Sequence, residues 1–285
     1  MSASGSESPR LDAELLLGHV LGASRQTLLA EPELPVHAGQ IALFQALIER
    51  RAKGEPVSYI RGLKEFFGLA LSVDERALIP RPETEALVEL AVERVGTALT
   101  GAPRTKGAKP LLVWDVGTGS GAIVVALAVE CRRRGYGRDV RFLATDISPD
   151  ALALATENAV GHGVADMIEF AQADLTDLPA TDFQQADVLL ANLPYIPSGV
   201  VPELPVAASF EPRVALDGGP DGLALIRRLI DALPRTLADG CSALLEIGSN
   251  QADAVAALAP DGWTVAIHED LSGLPRVGEF RREPS

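Results

Sequence analysis

Leu111-Leu112-Val113-Trp114-Asp115-Val116-Gly117-Thr118-Gly119-Ser120-Gly121-Ala122 is the stretch whose reading decides the fold of this chain. Residues 111–116, apolar apart from Asp115, read as a buried strand, and residues 122–133 read as a helix. The glycines between them let the backbone turn sharply and approach a ligand closely. They sit where doubly wound sheets bind nucleotides, at the end of a strand and the start of a helix. A Gly-rich connector without a ligand is the plainer alternative, and the strand before and helix after count against it.

Outward from this point the alternation continues. Residues 140–145 read as a second strand, and Ser148 can cap a helix that runs through Asn158. Residues 168–171 and 188–191 read as the third and fourth strands, 223–233 as a helix, 242–247 as the fifth strand and 252–258 as a helix. Two closing strands lie near 264–268 and 277–281. Such alternation predicts a parallel sheet covered on both faces. Towards the amino terminus, residues 1–8 are small and polar and are expected to be disordered. Leu11, Leu15, Leu16, His19 and Val20, then Ile41, Leu43, Phe44, Leu47 and Ile48, recur at helix spacing on either side of Pro32 and Pro35. They predict a small helical domain over 9–55. Residues 57–60 and 65–73 read as short strands or a hairpin, Pro82 opens a further helix, and 101–107 form a loop by composition. The expected division is a tail over 1–8, a helical recognition domain with a hairpin linker over 9–75, and a catalytic domain over 76–285.

Composition excludes several function classes. With 47% hydrophobic residues but only 5% aromatic ones, the core is expected to be aliphatic. No apolar run approaches the roughly 18 residues needed to span a bilayer, and the first residues lack the apolar core of a signal peptide. The expectation is a cytoplasmic protein with no membrane partner. Cys131 and Cys241 are too few and too distant for a disulfide framework. His19, His37, His162 and His268 are scattered and no C-x-x-C occurs, so no metal is expected. The net charge of −14, concentrated beyond residue 80, argues against a nucleic-acid partner, because duplex readers match phosphates with Lys and Arg.

Asn192-Leu193-Pro194-Tyr195 directly follows the apolar run Ala186-Asp187-Val188-Leu189-Leu190-Ala191. A strand ending this way presents an amide oxygen, a carbonyl and an aromatic face, which together can hold a planar NH2 group of glutamine, asparagine, adenine or cytosine. A strand-terminating turn is the bland alternative. Taken alone, the tetrad does not choose among these.

The spacing D-x-G-x-G-x-G differs from the dinucleotide fingerprint G-x-G-x-x-G and resembles the first motif of class I S-adenosylmethionine-dependent methyltransferases. That resemblance implies a Rossmann-like, doubly wound seven-stranded sheet with an antiparallel last strand. It also implies that Gly117, Thr118, Gly119, Ser120 and Gly121 wrap the amino-acid part of the cofactor. Asp146 ends the second strand. As an acceptor-only carboxylate it can take both ribose hydroxyl hydrogens, or else cap the next helix, for which Ser148 is already available. Asp174 and Leu175 fall where the family contacts adenine, and Asn192 borders the same cofactor.

From about residue 10 onward the chain resembles the bacterial peptide chain release factor N5-glutamine methyltransferases. The motifs are Asp12-Ala13-Glu14-Leu15-Leu16-Leu17, Gly54-Glu55-Pro56-Val57, Ile79-Pro80-Arg81-Pro82-Glu83-Thr84-Glu85, Phe210-Glu211-Pro212, Ala215-Leu216-Asp217-Gly218-Gly219 and Leu244-Leu245-Glu246-Ile247-Gly248. The resemblance implies methylation of the Gln of the Gly-Gly-Gln motif in class 1 release factors, gripped by the helical domain. Asn192, Leu193, Pro194 and Tyr195 would be the catalytic and substrate-binding tetrad. The Asn192 amide oxygen and the carbonyl of residue 193 would each accept one N–H of the glutamine amide, with Tyr195 against its flat face. The family usually has Pro at 193. Leu193 keeps the carbonyl but adds an N–H and frees the backbone before Pro194. N-L-P-Y is shared with ribosomal RNA adenine dimethyltransferases, so methylation of adenine N6, or of a ribosomal-protein glutamine, stays as an alternative. The acidic charge and the segment from Ile79 to Glu85 favour the release factor.

Overall fold

The structure is a computed structural model that describes residues 8–101, 109–178 and 185–282. The chain begins with helices α1 (Pro9–Leu21), α2 (Arg25–Ala30), α3 (Ala38–Ala52) and α4 (Val57–Arg61). Leu16, Leu47 and Ile60 meet in a core of their own, with Val20, Phe44, Ile48 and Val57 around it. Helix α2 was not anticipated between the two periodic runs. It is one and a half turns long, and the Ser24 hydroxyl caps it by accepting from the Thr27 N–H. Of the tail expected over 1–8 only Ser8 is described, and of the loop over 101–107 only Gly101.

Residues 57–60 are a helix and not the strand their β-branched and aromatic content suggests. Pro56 sets the entry and Gly62, at φ 66°, ends the turn. The helical spacing also sends neighbours in different directions. Ile60 enters the core of the first helices, while Tyr59 packs with Val73 and Ile79 and donates its hydroxyl to the Ala77 carbonyl at 2.7 Å. A strand would give that division no stable partner sheet. The hairpin lies just beyond, as β1 (Leu63–Phe66) and β2 (Leu69–Ser72). Asn158 ties it down: its side-chain oxygen accepts from the Ser72 N–H at 2.7 Å, and its amide nitrogen donates to the carbonyls of Ser72 and Ser120.

The 3-10 turn Pro82–Thr84 leads into α5 (Glu85–Thr100). Then follow β3 (Leu111–Val116), α6 (Ala122–Arg133), β4 (Val140–Asp146), α7 (Pro149–Gly161), β5 (Ile168–Gln172) and β6 (Ala186–Ala191). The last elements are α8 (Ala224–Thr236), β7 (Leu237–Glu246), α9 (Ala252–Ala256), β8 (Trp263–Glu269) and β9 (Pro275–Arg282). The seven strands beyond the hairpin form one sheet in the order β5-β4-β3-β6-β7-β9-β8. Strands β3 to β7 pair in parallel, and β9 runs antiparallel to both of its neighbours. The doubly wound sheet with an antiparallel last strand is thus as expected. Helices α5 and α6 cover one face through Leu87, Val88, Val124 and Leu127, and α8 covers the other through Ile226, Leu229 and Leu233. The core is largely aliphatic, with few rings fully buried.

One buried charge sits in the antiparallel half. Glu279 of β9 accepts from Arg94 through both oxygens, at 2.7 and 2.8 Å, and also binds Arg281, Ser242 and His268. Burial opposes its ionisation, but Arg94, Arg281 and His268 outweigh that and hold its pKa down to about 2, below the ordinary 4.5. A folded-state pKa below the unfolded one means stability present above pH 4.5 and lost as pH falls through 2. Glu279→Gln is expected to cost on the order of 2 kcal/mol in urea denaturation at neutral pH. The gap from wild type should shrink as the comparison is moved to acid.

Candidate active site

Strand order reverses between β4 and β6, on either side of β3, which opens a crevice at the carboxyl ends of the strands. The glycine loop leaves β3 there. The N–H groups of Gly117 and Thr118 both donate to the Thr145 carbonyl at the end of β4, at 2.8 and 2.9 Å. This pins the loop over the sheet edge. Gly117 has φ 73°, and a Cβ on it would meet Leu193 Cδ2 at 2.9 Å. Gly121 has φ 79°, and its Cβ would meet Ala155 Cβ at 2.9 Å. These positions require glycine for backbone conformation and for close approach.

Asp115 is fully buried beneath the loop. One of its oxygens accepts from the Thr118 hydroxyl at 2.7 Å and the other has no partner. Burial raises its pKa to about 7. Asp146 accepts the Gly119 N–H on one oxygen and the Ser148 N–H on the other, each at 2.9 Å. Burial raises its pKa, and those N–H groups oppose the rise. Each oxygen keeps a lone pair for a further donor. Ser148 is the cap of α7, accepting from the Ala151 N–H, so capping makes no demand on Asp146 beyond its turn.

Asp174 and Leu175 line the same cavity, of about 230 Å³, which also touches Pro80, Arg81, Thr84 and Asn192. Asp174 is half-exposed and paired with Arg228 at 2.9 Å. Leu175 has φ 54°, an uncommon conformation for a residue with a side chain. The Thr145 hydroxyl donates to its carbonyl at 3.2 Å while itself accepting from the Trp114 ring N–H at 3.0 Å, which holds that strained turn over the sheet.

The tetrad emerges from β6 next to the glycine loop. Asn192 donates its side-chain N–H to the Thr84 hydroxyl at 3.1 Å. Leu193 is buried and covers Gly117, so the side chain found here holds the tetrad on the loop by packing. Gly218 is required where it stands, since a Cβ would meet the Pro194 carbonyl at 2.5 Å. Tyr195 is half-buried, its carbonyl accepts from Gln251 at 3.0 Å, and burial raises its pKa. A smaller cavity, of about 70 Å³, abuts the tetrad between Leu78, Arg81 and Leu216.

Gly117, Thr118, Gly119, Ser120, Asp146, Asp174, Leu175, Asn192, Leu193 and Pro194 line one cavity, whereas Gly121 packs against α7 and Tyr195 lines the smaller cavity beside it. Sequence reasoning assigned no site place to Glu211 or Gln251, and it placed Thr84 only within residues 80–85 as a wall of the cofactor site. Glu211 accepts from Arg81 at 2.6 Å and from the Ile79 N–H at 3.2 Å, which ties the I-P-R-P-E-T-E segment to the loop after β6 as one wall. The signal was present, because both partners lie in the motifs quoted for the family resemblance. Among the described residues, no cluster of His, Cys, Asp or Glu is placed to hold a metal, and no helix is long and apolar enough to cross a membrane.

The PrmC N-terminal domain family matches residues 1–62, and the Methyltransferase domain family matches residues 109–243. Among solved structures, the catalytic domain of human Mettl16, solved with a hairpin of the MAT2A 3′UTR, aligns with a TM-score of 0.56 at 16% identity, over 80% of this chain and 81% of that one. A methyltransferase from Pyrococcus furiosus aligns with a TM-score of 0.50 at 15% identity, over 83% and 95%. At such identity these show the fold. The glycine cradle and the spare lone pairs of Asp146, both lining the cavity, fit S-adenosylmethionine, and fold and site define a class I S-adenosylmethionine-dependent methyltransferase. The Release factor glutamine methyltransferase of Moorella thermoacetica is 40% identical over 91% of this chain and 85% of its own length. That of Neisseria gonorrhoeae is 39% identical over 95% and 93%. The chain belongs to the release factor glutamine methyltransferase family.

Because Gly121 combines a left-handed backbone with a contact to α7, Gly121→Ala is expected to lower unfolding stability by about 2 kcal/mol. Urea denaturation against the wild type measures it.

Proposed function

We propose that this chain methylates the side-chain nitrogen of the glutamine in the Gly-Gly-Gln motif of class 1 peptide chain release factors. S-adenosylmethionine supplies, when bound, an electrophilic methyl group on a sulfonium. Gly117, Thr118, Gly119, Ser120 and Gly121 would hold its amino-acid part, Asp146 the ribose hydroxyls, and Asp174 and Leu175 the adenine, with Asn192 at the border between cofactor and substrate.

The observation that carries this reading is the Asn192 hydrogen bond. With its N–H engaged by Thr84, the Asn192 carbonyl oxygen is the atom left for a substrate at the crevice. That oxygen and the main-chain carbonyl of Leu193 are two acceptors for the two N–H bonds of a primary amide. They orient a weakly nucleophilic nitrogen and favour the positive charge that develops on it during transfer. Pro194 brings no N–H of its own to compete for those acceptors, and Tyr195 offers a ring face to the flat amide. The nitrogen then loses its proton to water, so no strong base is required of the protein.

The helices over 9–75 would form the recognition domain and residues 76–285 the catalytic one. A separate small core in α1, α3 and α4 supports that division. The net charge of −14 supports a protein partner in preference to a nucleic acid. The two free thiols suit a reducing cytoplasm.

The test is transfer of labelled methyl to a purified release factor. Label on the wild-type factor and none on its motif Gln→Ala variant is expected; label on RNA alone would contradict the reading in favour of adenine. Asn192→Ala is expected to cut turnover by at least about tenfold while leaving cofactor affinity within about twofold. Unchanged turnover would remove Asn192 from the reaction.

A further inference from the structure

We propose that Glu246 is a positioning residue which, through the Thr84 hydroxyl, fixes which end of the Asn192 amide meets the substrate. The inference rests on the function proposed above and adds to it two residues that the substrate does not touch.

The sheet register makes the juxtaposition. Ala191 of β6 pairs with Leu245 of β7, so the residues that follow, Asn192 and Glu246, leave the sheet side by side. Glu246 is 1% exposed and neither carboxylate oxygen has a hydrogen-bond partner. An orphan of this kind is costly. The Thr84 and Tyr195 hydroxyls stand close enough to favour its charge. Thr84 is itself buried and accepts from Asn192.

The chemistry of donors gives the arrangement a direction. A hydroxyl has one hydrogen and two lone pairs, whereas an ionised carboxylate only accepts. If Glu246 takes the Thr84 hydrogen, Thr84 must present a lone pair to Asn192, and only the NH2 end of that amide can answer it. The Asn192 oxygen is thereby turned to the crevice. An amide turned the other way would set NH2 against the NH2 of the substrate, donor facing donor. Neutral Glu246 can instead donate to Thr84 and release that constraint.

Several groups face Glu246. Burial is the largest influence and raises its pKa; Thr84, Arg276 and Tyr195 lower it, while Glu83 raises it, and the outcome is about 7. The ionised form is the active one in this scheme, so turnover falls as pH drops through that value.

The experiment compares Thr84→Val, Thr84→Ser and Glu246→Gln with wild type, measuring kcat and KM for release-factor methylation across about pH 6 to 9. S-adenosylhomocysteine binding by calorimetry serves as the check on folding. Thr84→Val keeps shape and loses the hydroxyl; it should lower kcat at least about tenfold with cofactor affinity held within about twofold, and Thr84→Ser should recover to within about threefold of wild type. Glu246→Gln should lower kcat and flatten the acid limb. A Thr84→Val enzyme as fast as wild type, a Thr84→Ser enzyme as slow as Thr84→Val, or an unchanged acid limb in Glu246→Gln overturns the relay while leaving the proposed function standing. Absence of transfer by the wild type itself overturns both.

Discussion

The structure depends on β6 returning to pair in parallel beside β3. The chain lays down β3, β4 and β5 in one direction across the sheet, then comes back to set β6 on the other flank of β3 and continues through β7. Val116 pairs with Ala191, so Gly117 and Asn192 leave adjacent strands at the same height. The glycine loop and the tetrad, far apart in sequence, become neighbours because parallel strands end together. Both strands are almost wholly buried, so the hydrophobic register that stabilises the sheet also sets the spacing between the glycine loop and the tetrad.

What surrounds that pair secures it. Thr145 at the end of β4 takes the N–H groups of Gly117 and Thr118 on its carbonyl and bonds Leu175 through its hydroxyl, so one residue fixes two sides of the larger cavity. Leu193 fastens the tetrad to Gly117 from above. Where the family commonly has Pro, this chain has a buried side chain packed on the glycine loop. Asn158 links the Ser120 carbonyl to the hairpin, so the loop is held from the side of the helical elements too.

Much of this was legible in the sequence, and the losses have physical causes. Strong local signals survived: the bounds of β3 and α6 were read to the residue, and Ser148 caps as expected. Residues 57–60 were misread because propensity favours a strand and only tertiary partners for Tyr59 and Ile60 make them helical. Strand β7 starts at Leu237, ahead of the expected 242, because Asp239 and Gly240 read as a turn while Leu237 still pairs with Ala186 across a register shift. Most of the predicted site residues line one cavity, with Gly121 and Tyr195 beside it, since motif spacing carries them. Of their supports, Thr84 was read only as part of a wall of the cofactor site and Glu246 only as part of a motif, because their places beside Asn192 are set by the sheet.

The central claim is that Asn192 and the carbonyl of residue 193 grip the glutamine amide at the junction of β6 and the glycine loop. A crystal structure of the chain with S-adenosylhomocysteine and a release-factor peptide carrying the Gly-Gly-Gln motif tests it most directly. The account predicts the glutamine side-chain nitrogen within hydrogen-bond distance of both the Asn192 amide oxygen and the Leu193 carbonyl, with Thr84 still bonded to the Asn192 NH2. A glutamine that turns its oxygen to Asn192, or that binds away from the tetrad, would contradict it.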